Sequence, residues 1–235
     1  KKKIKLLDYN KLNKISLDNK SINLIDVKFD INKENNYIKD SFDIAFRLIK
    51  KKISNKFING PINKSVFLNK RFLGITEYIS RKFNTNKVAM LIYNKNLSVC
   101  PLTTHIPLKN VHKKVNKKNI FNKIKLIDSF YKQRKNIRPN IAVLGLNPHC
   151  ESTDYFNEDE KIIKPSIKNL INLGYKVSGP YSADTIFLKN NRKKFDVILG
   201  MYHDQVLTPV KSLFEYDAVN ITLGLPFIRI SPDHG

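Results

Sequence analysis

The run Ile141-Ala142-Val143-Leu144-Gly145-Leu146 constrains this chain more than any other segment. Six consecutive residues without a polar side chain cannot alternate between core and solvent. As a strand, the run must be covered on both faces. A helical segment follows over Glu158–Leu173 and ends at Gly174, a natural C-cap. A second buried-strand candidate, Asp196-Val197-Ile198-Leu199-Gly200, apolar after its first residue, comes after it. Strand, helix and strand at this spacing predict an α/β fold with a mainly parallel sheet and right-handed crossovers. In such sheets ligands bind beyond the carboxyl ends of the strands, and that is where motifs carrying chemistry should lie.

The first half follows the same alternation. Asp40–Lys52 reads as a helix with Phe42, Ala45, Phe46 and Ile49 on one face. Phe57-Ile58-Asn59-Gly60-Pro61 reads as a short strand entering a turn. Val88–Tyr93 and Leu97–Leu102 are β-like runs joined by Asn94-Lys95-Asn96, a plausible hairpin turn. Ala218–Leu223 and Phe227–Ile230 are further strand candidates. No apolar run approaches the ~18 residues that cross a bilayer, and the first residues lack the pattern of a secretory signal. Cys100 and Cys150 are too few for a disulfide framework, so a cytoplasmic, reducing setting is expected.

The 43 Lys and Arg outnumber the 20 Asp and Glu, for a net charge of +23. Nearly half of the excess lies between Lys109 and Arg138, where eleven basic residues face one Asp. Ile120, Ile124, Ile127 and Tyr131 recur there at helical spacing, so the basic side chains form the solvated face of a helix. No RNA-recognition strand, zinc finger or basic heptad accompanies them. Nucleic acid is therefore not the expected partner. A basic module for RNA or an anionic surface is kept as the alternative from another functional class.

Three of the five histidines sit just past strand ends. His149 follows Ile141–Leu146, His203 follows Val197–Leu199, and His105 follows the run through Leu102. Three neutral imidazoles suit a catalytic divalent ion such as zinc or cobalt. The alternative is three unrelated histidines lining loops. Asp204 adjoins His203, and Asp184 lies at a helix start; either could orient a ligand histidine or accept a proton. Asp184 could equally be an ordinary first-turn acid. Arg229 interrupts an apolar strand, where an unpaired buried charge is costly, so it should face a carboxylate or phosphate. Lys211, Asn220 and Lys64 would point to the same area. Together these residues suggest a small anionic substrate. There is no Gly-x-Gly-x-x-Gly, no P-loop and no serine nucleophile elbow, and neither cysteine has an activating basic pair.

Leu146-Asn147-Pro148-His149, Gly179–Thr185, Met201-Tyr202-His203-Asp204-Gln205, Asn220–Arg229 and Asp233-His234-Gly235 closely resemble the 4-hydroxythreonine-4-phosphate dehydrogenase family. Thr103–Leu108 and Gly60–Lys64 match the same family, and the motifs keep its order from about residue 57 onward. The resemblance implies a two-lobed α/β/α fold similar to isocitrate and isopropylmalate dehydrogenases. It implies a homodimer with a shared site, in pyridoxal phosphate synthesis. It further implies a divalent metal (zinc, cobalt or magnesium) on His105, His149 and His203, and substrate contacts at Thr76, Lys211, Asn220 and Arg229. The implied reaction uses NAD to oxidise a phosphorylated amino-acid alcohol, and the resulting β-keto acid loses carbon dioxide. Asp184, Asp204 and Lys211 are the candidates for proton transfer; the NAD contacts are unassigned.

Ile75 stands where the family usually has a histidine, and Cys150–Asp154 replaces a glycine-rich stretch. Val206-Leu207-Thr208-Pro209 likewise departs from the usual Gly-Leu-Pro. These changes bear on substrate choice and leave a paralogue acting on another phosphorylated 3-hydroxy acid as an alternative. The family's N-terminal Gly-Asp-Pro-x-Gly has no counterpart. Residues 1–235 are accordingly read as one catalytic unit of a longer chain.

Overall fold

A computed structural model describes residues 3–14, 17–18, 20–63, 67–68, 72 and 74–233. Its strands are β1 (Ile4–Leu6), β2 (Ile22–Leu24), β3 (Lys56–Ile58), β4 (Ala89–Tyr93) and β5 (Ser98–Pro101). They continue with β6 (Ile141–Leu144), β7 (Val177–Tyr181), β8 (Val197–Gly200), β9 (Val219–Leu223) and β10 (Ile228–Pro232). The helices are α1 (Glu34–Lys50), α2 (Ile75–Lys82), α3 (Lys117–Lys135), α4 (Lys164–Asn172), α5 (Ala183–Ile186), α6 (Lys189–Arg192) and α7 (His203–Phe214).

Eight of the described strands form one sheet in the order β3-β10-β9-β4-β5-β8-β6-β7, while β1 and β2 pair separately. The half from β5 to β7 is parallel, as the apolar runs predict. The other half is mixed: β4 runs antiparallel to both β5 and β9, and β10 antiparallel to β9. The reason is connection length. The β4–β5 and β9–β10 links are too short for a crossover and can only reverse the chain. β7 escaped the sequence pattern because it carries Gly179 and Pro180, which an edge strand tolerates.

Strand parity explains the unbroken apolar runs. Ala89, Leu91, Ile141 and Val143 point to one face, where Ile120, Ile124 and Ile127 of α3 and Ile167 of α4 cover them. Met90, Ile92, Ala142 and Leu144 point to the other, beneath Val206 and Val210 of α7. The mixed α/β fold expected from the sequence is therefore present, with helices on both faces. A separate aromatic core joins α1 and α2 to β3 through Phe42, Phe46, Phe57 and Tyr78.

α3 begins at Asn116, whose side chain accepts from the Asn119 amide at 2.9 Å, an N-cap that its basic first turn needs. α1 starts at Glu34, earlier than its apolar face reveals, because a short turn capped by Asp30 leads into it. The segment expected as one helix over Glu158–Leu173 opens with a π-turn at Asp159–Ile163 before becoming α4. Gly174 closes it with φ 82°, its amide bonded to the Ile171 carbonyl.

Candidate functional site

β5, β8 and β6 are parallel neighbours, so their carboxyl ends reach the same edge of the sheet. The chain leaving each one carries a histidine. β8 passes almost directly into α7, which makes His203 the first residue of that helix. His105 lies in the loop after β5, and His149 on a short turn after β6. The His105 and His203 rings approach with centroids 6.0 Å apart. His149 is exposed and does not join them within one chain. Among the described residues, no three His, Cys, Asp or Glu side chains are grouped to hold a metal.

Each of the two paired rings has a carboxylate on its Nδ1 side. Asp204 Oδ1 lies 2.7 Å from His203 Nδ1, and Glu77 Oε1 lies 3.8 Å from His105 Nδ1. The hydrogen bond between His203 Nδ1 and Asp204 fixes the tautomer that leaves its Nε2 for a metal ion, while Glu77 stands within ion-pair range of His105. The donor set thus fits a divalent cation, with two ligands from this chain. Glu77 was not singled out from the sequence, since an acid in the first turn of a helix is commonplace. Burial works to raise its carboxyl, but His105, the helix backbone and Thr104 outweigh it and hold the carboxyl below its ordinary value. Its Oε2 is buried without a hydrogen-bond partner.

Beside the histidines, a cavity of about 580 Å³ opens between α7 and the sheet. Strand register builds its floor. Arg229 pairs with Thr222, Ser231 with Asn220, and Ile92 with Asn220, so these side chains share one face. Arg229 is 3% exposed. Its Nε donates to Asn59 Oδ1 at 2.9 Å and its Nη1 to Thr222 Oγ1 at 3.1 Å. Both acceptors are neutral. No carboxylate forms an ion pair with it among the described residues, although the charge of Glu77 partly compensates. Burial pushes the guanidinium down to about 10.

Thr76, at the start of α2, lines the cavity together with Ile75. Asn220 does too, with its Oδ1 buried and unpartnered. Lys211, two turns along α7 from His203, enters from the side. Its Nζ is held by Asp233, 2.8 Å from Oδ2 and 2.9 Å from the backbone carbonyl. An anion arriving here would have to compete with Asp233 for the ammonium. Asp204 reaches the cavity rim, whereas Asp184 does not line the cavity. Asp184 is an exposed first-turn residue of α5. A hydrogen bond with Ser182 is the main cause of its lowered carboxyl, and the nearby His149 contributes. Asp184 and His149 thus belong to one neighbourhood, and His105 and His203 to another. Lys64 and His234 lie outside the described residues.

Comparison with known proteins places these features in a family. The family described as "Pyridoxal phosphate biosynthetic protein PdxA" matches residues 2–235. The chain is 42% identical over 195 residues to a 4-hydroxythreonine-4-phosphate dehydrogenase of Sulfurihydrogenibium sp. (strain YO3AOP1), covering 81% of this chain and 60% of that protein. It is 36% identical over 203 residues to a D-threonate 4-phosphate dehydrogenase of Pectobacterium atrosepticum, covering 82% of this chain and 62% of that one. The crystal structure of 4-hydroxythreonine-4-phosphate dehydrogenase from Klebsiella pneumoniae superimposes with a TM-score of 0.78 at 30% identity, over 99% of this chain and 75% of that chain. The chain therefore spans about 60% of the length of these curated relatives.

Proposed function

The chain belongs to the PdxA family, and from that premise we propose that it is the site-bearing part of an NAD-dependent dehydrogenase of pyridoxal phosphate synthesis. The substrate is 4-phosphohydroxy-L-threonine, oxidised and decarboxylated to 3-amino-2-oxopropyl phosphate. One observation carries this reading: a buried guanidinium with neutral partners shares a cavity with a pair of carboxylate-backed histidines. A cation-lined floor suits a phosphorylated anion, and the two imidazoles suit a divalent metal beside it.

Arg229 holds an anionic oxygen with the N–H groups that Asn59 and Thr222 leave free. Lys211 takes a second anionic group by exchanging Asp233 for it, which also sets its ammonium beside the reacting carbons as a proton donor. Asn220 and Thr76 add neutral hydrogen bonds that fix which way round the substrate lies. Asp204 orients His203 and, from the cavity rim, is the carboxylate assigned to take the alcohol proton. A divalent ion (zinc, cobalt or magnesium) supplies Lewis acidity when bound. NAD is the hydride acceptor implied by the family. The described residues carry no glycine-rich phosphate loop, and no NAD contact is assigned.

The third histidine comes from a second copy. His149 stands exposed on the same loop as Tyr155 and Phe156, both large, apolar and open to solvent. A homodimer that inserts this loop beside the partner's His105–His203 pair would complete three ligands and bring Asp184 to the shared site. Both cysteines are free and buried, in keeping with a reducing, cytoplasmic setting. Among the described residues, no helix is long and apolar enough to cross a membrane.

A second reading rests on Ile75, a buried apolar side chain facing the cavity. Losing a polar contact there would favour another phosphorylated 3-hydroxy acid, such as D-threonate 4-phosphate, which carries a neutral 2-hydroxyl in place of the 2-amino group. Steady-state NADH formation from the two substrates separates the readings. The primary one predicts the higher kcat/KM with 4-phosphohydroxy-L-threonine, abolished by a chelator. No turnover of either substrate would overturn both.

A further inference from the structure

The three histidine-bearing loops leave neighbouring strands, and side chains stitch their backbones together. We propose that Gln205 is a positioning residue, a clip that sets the loop of His149 against the loop of His203. The proposal rests on the metal reading above for its functional meaning, though not for its geometry.

Gln205 sits in the first turn of α7, two residues after His203. Its Oε1 accepts from the Met201 amide at 2.7 Å, and its Nε2 donates to the Gly145 carbonyl at 2.8 Å. One planar amide therefore ties the end of β8 to the end of β6. Thr103 completes the stitching from the third loop, its Oγ1 donating to the Met201 carbonyl at 2.8 Å. Met201 is thus held at both its N–H and its C=O, once from the His105 loop and once from the helix of His203. On the far side, the fully buried Asp159 accepts from the Leu146 amide (2.8 Å), the Asn147 amide (3.1 Å) and Asn147 Nδ2 (3.0 Å).

Two glycines make room for this arrangement. A Cβ on Gly145 would lie 2.7 Å from Asp159 Oδ1, and one on Gly200 would lie 3.0 Å from Gln205 Oε1. Gln205 therefore occupies part of the space a side chain at Gly200 would fill, and Asp159 and Cys150 occupy it at Gly145. What it holds is a strained turn. His149 and Cys150 have φ of 55° and 63°, two successive non-glycine residues in the left-handed region. Such a pair persists only where its surroundings over-determine it. Gln205 and Asp159 anchor the residues on its amino-terminal side, Gly145 to Asn147.

The amide chemistry makes a sharp test. Gln205→Glu keeps the shape and the acceptor for Met201, but an ionised carboxylate cannot donate to the Gly145 carbonyl. Gln205→Met keeps the volume and loses both bonds. Tyr131→Phe serves as a control, because it removes a buried hydrogen bond to Ser98 remote from the three loops. Hydrogen exchange of the metal-free protein reads the clip directly, and zinc affinity by chelator competition reads its consequence. Both Gln205 variants should lose amide protection over residues 145–151. They should bind zinc about 10–100-fold more weakly, the usual cost of losing outer-shell support. The control should change neither.

Unchanged exchange over 145–151 in Gln205→Glu would overturn the clip, whether or not zinc binds. Altered exchange with wild-type zinc affinity would overturn its role in positioning. A wild-type protein that binds no zinc would instead overturn the metal reading, and the exchange result would still decide the clip.

Discussion

Replacing Arg229 with Met should weaken substrate binding strongly and cost the fold almost nothing. Burial lowers the guanidinium from 12.5 to about 10, equivalent to about 3 kcal/mol carried against folding at neutral pH. The sign follows from linkage: a base with a depressed folded pKa is penalised below that pKa, and the penalty is relieved only as pH rises through it. Removing the charge removes the penalty. Against this stand two acceptors left without their donor, Asn59 Oδ1 and Thr222 Oγ1, each costing about 1 kcal/mol. Methionine fills much of the volume, so the net change in stability should fall within about 1 kcal/mol of zero. Binding moves the other way. A lost charge-assisted hydrogen bond costs about 1.5–3 kcal/mol, so KM should rise about 10–100-fold for a phosphorylated substrate. Thermal unfolding and steady-state kinetics on the same variant test both halves. A melting temperature lowered by more than about 6 °C with KM unchanged would make Arg229 a structural residue and refute the reasoning, at about 2–4 °C per kcal/mol for a chain of this size.

Other consequences are equally direct. His105→Ala should abolish stoichiometric metal while leaving the fold intact, as read by metal analysis and circular dichroism; full metal content would contradict the assignment. Gly200→Ala places a Cβ against Val206 and Gln205, so it should cost about 1–3 kcal/mol in a denaturant titration. Burial raises the Cys100 thiol from 9.0 to about 11. The unfolded chain then loses its proton first, and stability should fall as pH rises from about 9 to 11. A Cys100→Ala variant should lack that part of the decline, and identical pH profiles for the two proteins would rule the effect out.

Legibility in the sequence followed burial. Ile141–Leu144 and Val197–Gly200 declared themselves because both faces of those strands are covered, so no polar residue interrupts them. The β4–β5 hairpin was visible in its Asn-Lys-Asn turn. β7 was not, because Gly179 and Pro180 mask an edge strand. The antiparallel pairing of β9 with β4 and β10 was hidden for another reason: composition reports whether a strand is buried and not its direction. The site divided in the same way. His105, His203, Lys211, Asn220 and Arg229, singled out by residue type and place beside the strands, line one cavity. Glu77, Asn59 and Gln205 were not singled out, since each acts by bonding to a partner distant in sequence. Among the described residues, the hydrogen-bond partners of Arg229 are two neutral oxygens, so the carboxylate or phosphate expected opposite it is not supplied as an ion pair by this chain. The guanidinium thus lines the cavity with its charge unpaired by a carboxylate among the described residues.

The central claim is that His105 and His203 of one copy and His149 of another share one metal site. Subunit mixing tests it most directly. His149→Ala and His203→Ala proteins should each be inactive alone. Unfolded together and reassembled at equal amounts, half of the dimers would be mixed, and each mixed dimer would carry one intact site. About one quarter of wild-type activity should then return, as an isologous two-fold dimer requires. If the mixture stays inactive while both proteins demonstrably exchange subunits, the three histidines belong to a single chain and the shared site is wrong.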